Sequence, residues 1–119
     1  MIETFHPLRK VRQFGTFVRI KADDKSEMSI SQELDIRFNK PIYIRAYLNG
    51  GLFTIQQTDK YDKDALYVYR YNREGKHGKM NDTRIINKEL CQWLIRNGYE
   101  SKQRIYMIER RPGVWAEDK

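Results

Sequence analysis

An internal repeat is the feature that most constrains the fold of this chain. In each half, a strand-like segment leads through a capping residue into a short helix, and a tight turn between two further strand-like segments follows. The two strand-to-helix junctions are Ile30-Ser31-Gln32-Glu33-Leu34 and Ile86-Asn87-Lys88-Glu89-Leu90. A chance likeness between two ββαββ stretches is the alternative, but the matching caps, helix anchors and turns favour duplication.

Local signals in the first half predict its elements. Ser31 is expected to cap a helix, because its hydroxyl can accept a hydrogen bond from an orphan backbone N–H. Leu34 and Phe38 lie one turn apart on that helix. The Asn49-Gly50-Gly51 sequence predicts a hairpin turn, since such turns need the positive φ that Gly and Asn tolerate. The order ββαββ is therefore predicted for residues 14–57.

The same order returns after a polar connector at residues 58–65. Residues 66–119 repeat the strand, helix and hairpin signals, with Pro112-Gly113 as the last turn. Within them, residues 72–82 contain Gly and Lys and are predicted to form a loop. The sequence thus predicts a β-rich α+β fold in one compact domain, preceded by an arm at residues 1–13.

Charge is distributed unevenly along the chain. Lysines and arginines number 23 against 16 acids, which gives a formal net charge of +7. Residues 70–88 contain six basic side chains and two acidic ones, whereas acids gather in residues 23–35. A basic excess attracts polyanions, because a phosphate-rich partner releases counterions when it is neutralised. Solubility alone is the alternative explanation.

Composition also excludes several classes of site. A single cysteine excludes an intramolecular disulfide, and two histidines give no convincing zinc cluster. No apolar run approaches the roughly 18 residues of a membrane span, and residues 1–10 lack the apolar core of a secretory signal. We expect a cytoplasmic protein with no membrane partner, no cofactor and no metal.

Catalysis has little support in the sequence. His77 lies in Gly75-Lys76-His77-Gly78-Lys79, where it could act as an acid–base group in a nuclease. A lone histidine in a basic loop is far more often an ordinary loop residue. Cys91 has no accompanying His/Asp signature and is predicted to be a core thiol. We expect no catalytic residues and no enzymatic activity.

Several stretches of the first half together carry a likeness to a known family. They are the strand Phe17-Val18-Arg19-Ile20, the junction Met28-Ser29-Ile30-Ser31-Gln32-Glu33-Leu34, and the hairpin around Asn49-Gly50-Gly51. In these stretches the chain resembles the AbrB/SpoVT-like DNA-binding module, also found in MazE-type antitoxins. That family normally forms a swapped-hairpin barrel from two chains. The resemblance implies that both halves of this chain form an intramolecular swapped-hairpin-like barrel.

The chain departs from the family in its loops. Ser31 stands where the family usually has proline, and Lys25-Ser26-Glu27 replaces a Gly-Arg pair. The acidic first loop is unfavourable against phosphates, whereas residues 73–79 are basic. We therefore expect the second half to contribute most of the DNA binding.

The leading hypothesis is a small prokaryotic or phage DNA-binding protein that regulates transcription, as a monomer or a homodimer. Its candidate contacts are basic residues of the strands and the second loop, which would track phosphates and read base edges. These predicted DNA contacts are Arg19, Arg70, Arg73, Lys76, Lys79 and Arg84.

The alternative is a protein-binding module, either antitoxin-like or a phage-encoded inhibitor of a host defence protein. Tyrosine and arginine alternate onto common strand faces, and both residue types suit protein interfaces and base stacking. The predicted interface residues are Tyr43, Arg45, Tyr47, Tyr67, Tyr69 and Tyr71. A plain outer surface of a thin barrel, with hydroxyls reaching water, would also explain them.

Overall fold

The computed structural model describes residues 15–22, 26–75 and 78–119, with only the backbone described in 72–75 and 78–81. Its elements follow the predicted order, with one additional short strand. They are β1 (Phe17–Lys21), β2 (Glu27–Ile30), α1 (Gln32–Arg37), β3 (Tyr43–Asn49), β4 (Leu52–Thr58), β5 (Leu66–Tyr67), β6 (Tyr69–Gly75), β7 (Gly78–Ile86), α2 (Lys88–Arg96), β8 (Arg104–Arg111) and β9 (Val114–Glu117).

The nine strands form one antiparallel sheet that curls into a nearly closed barrel. Their order is β5-β3-β4-β9-β8-β1-β2-β7-β6. Only Val68 separates β5 from β6, and its backbone N–H donates to the Ile42 carbonyl at 2.9 Å. The segment from β5 to β6 therefore pairs with β3 at its start and with β7 along its remainder. This architecture confirms the β-rich α+β class.

Each of the two hairpins pairs with strands from the other half of the chain. The hairpin β3–β4 lies between β5 and β9, and the hairpin β8–β9 lies between β4 and β1. Each hairpin thus pairs with the first strand of the other half and with the other hairpin. A further pairing, β2 with β7, joins the halves next to both helices. All of these long-range pairings join the two halves of the chain.

Both helices begin at the predicted caps. The Ser31 side chain accepts a hydrogen bond from the Leu34 N–H at 3.3 Å, and the Asn87 side chain accepts one from the Leu90 N–H at 2.8 Å. Each helix packs its apolar face over the sheet, because its apolar residues recur one turn apart. The buried residues at these spacings are Leu34, Phe38, Leu90, Cys91 and Leu94.

The predicted loop at residues 72–82 is wrong for 72–75 and 78–82, the part of it that the structure describes. Its backbone continues β6 and β7, which pair in register from Tyr69↔Arg84 to Gly75↔Gly78. Since β2 pairs with β7 only from Thr83 to Ile86, the described strands in 71–82 pair only with each other. We name residues 71–82 the ribbon. Its polar composition is typical of a loop, but cross-strand backbone hydrogen bonds do not require apolar side chains.

Some predictions fall outside the described residues. The arm at residues 1–13 and His77 belong to this group. Among the described helices, none is long and apolar enough to cross a membrane.

Candidate functional site

Four tyrosines whose rings contact one another form a continuous row on the barrel, which we name the tyrosine ladder: Tyr43, Tyr67, Tyr69 and Tyr71. The ring centroids of successive pairs are 5.6, 4.6 and 6.3 Å apart, and the last pair is stacked with an interplanar angle of 5°. The exposed fractions of Tyr67, Tyr69 and Tyr71 are 47%, 37% and 43%. These three side chains are therefore accessible to a partner, whereas Tyr43 is half-buried.

The ladder combines tyrosines from two strand segments that are far apart in the sequence. Alternation along the chain places Tyr67, Tyr69 and Tyr71 on one face. Tyr43 joins them because β3 pairs with β5 in the register Tyr43↔Tyr67. That register involves residues far apart in sequence, so no local pattern predicts it.

Arg45 lies on the same face of β3, two residues beyond the ladder. Its guanidinium lies 5.8 Å from the centroid of the Tyr47 ring, and Tyr47 in turn donates a hydrogen bond to the Gln56 side chain at 3.1 Å. Arg45 also forms ion pairs with Asp62 at 3.7 Å and with Asp64 at 4.0 Å. Its positive charge is therefore matched locally.

The carboxylate of Asp62 is held in its charged form by its own loop. The backbone N–H of Asp64 and the hydroxyl of Thr58 both donate to it, at 2.9 and 2.8 Å. Together with the positive charge of Arg45, these hydrogen bonds lower the pKa of Asp62. Arg45 thus has a charged partner across the neutral pH range.

Arg84 lies at the other end of the ladder. Its guanidinium is 5.4 Å from the centroid of the Tyr71 ring, and it donates hydrogen bonds to Glu27 at 2.8 Å and to Asp82. Burial opposes its charged form, yet the hydrogen bonds to Asp82 and Glu27 outweigh burial and raise the pKa of Arg84. Glu27 is itself buried and also pairs with Lys21 at 3.8 Å. Arg84 is thus part of an internal charge network.

Arg70 joins the sheet to α1. Its Nε and Nη2 donate to the two carboxylate oxygens of Asp35 at 3.0 and 2.7 Å, and Nη2 also donates to the Pro41 carbonyl at 2.8 Å. The hydroxyl of Thr83 donates to the same carboxylate at 3.1 Å. The buried carboxylate of Asp35 is therefore satisfied from both strands at the base of the ribbon.

The other predicted DNA contacts divide into two groups. The Nε of Arg19 donates to the Lys102 carbonyl at 3.2 Å. Arg73 and Lys79 lie on the two paired strands of the ribbon, but their side chains, like all of Lys76, lie outside the described part. The structure thus assigns internal partners to Arg19, Arg70 and Arg84, and the DNA contacts stay predictions.

Sequence reasoning missed the internal role of the acidic segment. The sequence indicated a cluster of acids in residues 23–35 but not their partners, and Glu27 and Asp35 are buried against Arg84 and Arg70. The one available signal of this internal role was an acidic side chain at a strand or helix position that faces the core. The positive charges of Arg70 and Arg84 at the base of the ribbon are therefore already paired with carboxylates.

Neither metal nor thiol chemistry emerges from the described residues. No group of three or more His, Cys, Asp and Glu side chains in that part of the chain could hold a metal ion. Cys91 is buried, which confirms the predicted core thiol. Burial and the negative charge of Glu27 raise the pKa of the Cys91 thiol, so the unreactive neutral form is favoured.

Comparisons with known proteins find no significant match to the chain. A scan against protein-family models, a search of curated protein sequences and a search of solved structures each give no significant match. The resemblance to the AbrB/SpoVT-like module therefore rests on the residues of the chain alone.

Proposed function

We propose that the protein binds DNA through the ribbon and acts as a small regulator of the AbrB-like type. The observation that carries this proposal is the extension of β6 and β7 beyond β2 as a two-stranded antiparallel pair. The major groove of B-DNA admits a two-stranded ribbon, and several DNA-binding folds read bases in this way. A two-stranded ribbon that extends beyond its pairing with β2 therefore has a shape that can enter the major groove.

Charge supports the same surface. The ribbon carries Arg73, Lys76 and Lys79 in its sequence, within a protein of net charge +7. Arg70 and Arg84, by contrast, are paired with Asp35 and Glu27 at its base. We infer a division of labour in which these two ion pairs anchor the ribbon and the three distal residues neutralise phosphates.

The exchange of hairpins supports the proposed family relationship. Both halves contain the order ββαββ, and each hairpin pairs with the first strand of the other half. We propose that a duplicated module of the swapped-hairpin type produced this arrangement. In that proposal the acidic first loop has lost its role in DNA binding and the ribbon has taken it over.

The test is a comparison of two triple variants in fluorescence anisotropy, with a random-sequence duplex as the probe. The first variant replaces Arg73, Lys76 and Lys79 with alanine. Its matched control replaces Lys60, Lys63 and Arg96, which are exposed and are not part of the ribbon. Both variants lose the same formal charge, so any difference between them reports position.

We expect the ribbon variant to bind more weakly and with a shallower salt dependence. The slope of log affinity against log salt should fall by about 0.9 for each DNA phosphate that the variant no longer neutralises. The control should retain most of the affinity and the original slope. Equal affinity of the ribbon variant and the unmodified protein would show that the proposal is wrong.

A further inference from the structure

We propose that the tyrosine ladder stacks unpaired bases of a nucleic-acid strand. The inference rests on the proposed function and deepens it, because it assigns the class of nucleic acid that the barrel face takes. Tyr71 belongs to both the ladder and the ribbon, so the two surfaces are continuous along β6.

The geometry of the rings suits stacking. Tyr69 and Tyr71 are nearly parallel, whereas Tyr67 meets both Tyr43 and Tyr69 edge to face. The ladder therefore combines parallel and edge-to-face rings, and Tyr67, Tyr69 and Tyr71 are each partly exposed. Every base has a π-face, so such a platform is tolerant of sequence and needs only that the base is unpaired.

The arginines beside the ladder are already paired with carboxylates, and this determines how the ladder contributes to nucleic-acid binding. Arg45 is matched by Asp62 and Asp64, and Arg84 is matched by Glu27 and Asp82. The ladder therefore adds contact area to binding and adds little phosphate neutralisation. Its contribution should be nearly independent of salt, in contrast to that of the ribbon.

A nucleic-acid strand is favoured over a protein partner by two observations. The protein has a net charge of +7, which concentrates polyanions at its surface. The ladder also runs directly into the ribbon, where Arg73 follows Tyr71 by two residues. Stacking residues next to basic residues are the combination that binds single strands.

The experiment measures the binding of three probes by anisotropy over a range of salt concentrations. The probes are an oligothymidylate, an abasic oligonucleotide of the same length and a blunt random-sequence duplex. The test variant is Tyr67→Ala with Tyr69→Ala. The control is Tyr61→Ala, because Tyr61 is 83% exposed and takes part in none of the ring contacts of the ladder.

We expect the test variant to lose roughly ten-fold or more in affinity for oligothymidylate, as the loss of aromatic stacking on a base implies. The salt slope and the affinity for the blunt duplex should not change. The abasic probe should bind more weakly than oligothymidylate to the unmodified protein and equally to both proteins. Tyr67→Phe with Tyr69→Phe should restore binding, which separates stacking from loss of folding.

Two results would overturn the inference. If the alanine variant binds oligothymidylate as tightly as the unmodified protein, the ladder does not stack bases and a protein partner becomes its better occupant. If the unmodified protein binds the duplex but not oligothymidylate, the inference fails while the proposed function stands. Binding to none of the probes would contradict the proposed function itself.

Discussion

Arg70 on β6 donates two hydrogen bonds to the carboxylate of Asp35 on α1, at 3.0 and 2.7 Å. The two residues are 35 positions apart in sequence. Their contact crosses the boundary between the halves and fastens the base of the ribbon to the first helix. Asp35 is buried, so water competes poorly for its carboxylate.

The first prediction concerns this ion pair. Arg70→Ala should lower the free energy of unfolding by about 3 kcal/mol, because it leaves the buried Asp35 carboxylate without its main partner. Urea denaturation measures the loss. A double-mutant cycle with Asp35→Ala should then give a coupling energy of about 1 kcal/mol or more.

The exposed pair of Arg37 and Glu33 provides the control. These side chains form an i,i+4 ion pair at 3.2 Å on the surface of α1. Arg37→Ala should cost only about 0.5 kcal/mol, since water screens such a pair. A cost for Arg70→Ala no larger than this would contradict the anchoring role of Arg70.

The second prediction compares the two helix caps. The Ser31 hydroxyl accepts from both Leu34 N–H and Phe17 N–H and donates to the Gly15 carbonyl at 2.8 Å. Ser31→Ala should therefore destabilise by about 2 kcal/mol, against about 1 kcal/mol for Asn87→Ala. Thermal and urea unfolding of both variants test the order, and a larger cost at Asn87 would contradict it.

The third prediction uses adjacent residues of α2. Leu94 is fully buried, whereas the neighbouring Ile95 is 40% exposed. Leu94→Ala should cost about 2–5 kcal/mol, because it removes buried methyl groups and leaves a cavity. Ile95→Ala should cost less than about 1 kcal/mol. Similar losses of unfolding free energy for the two variants would mean that the helix faces the sheet differently.

The fourth prediction concerns pH. Tyr99 donates a hydrogen bond to the buried Glu117 carboxylate at 2.5 Å. Burial and the adjacent Glu117 raise the pKa of Tyr99 from 10.0 to about 12. Because the folded state favours the protonated phenol, this contribution to stability is complete below pH 10 and is lost as the pH rises through about 12.

Urea unfolding of the unmodified protein and Tyr99→Phe across the alkaline range tests the fourth prediction. The difference in stability between them should shrink as the pH approaches about 12. Tyr61→Phe serves as a control, since Tyr61 is highly exposed. A difference that does not change with pH would exclude the assigned role of the Tyr99 proton.

Local sequence signals predicted most of the elements correctly. The caps at Ser31 and Asn87 and the turn at Gly50-Gly51 lie where the sequence placed them. Each of these signals acts through atoms only a few residues apart, so it survives in any tertiary setting. The ribbon was mistaken for a loop because its strands are stabilised by backbone pairing, which composition does not report.

The candidate site was only partly predictable for a related reason. The tyrosines were identified as surface residues, but their union in one ladder depends on the register of β3 against β5. Likewise, the predicted roles of Arg70 and Arg84 ignored their acidic partners. Which arginine meets which carboxylate depends on contacts between distant segments.

The sequence by itself determined the order of strands and helices, the ends of the helices and the turns of the hairpins, because these depend on short-range geometry and hydrogen bonding. Only the tertiary structure decided which hairpin pairs with which half, which tyrosines meet, and where Asp35 and Glu27 place their charges. Those outcomes follow from the register of strands that are far apart in sequence. A shift of one residue in such a register would move every side chain to the opposite face of the sheet.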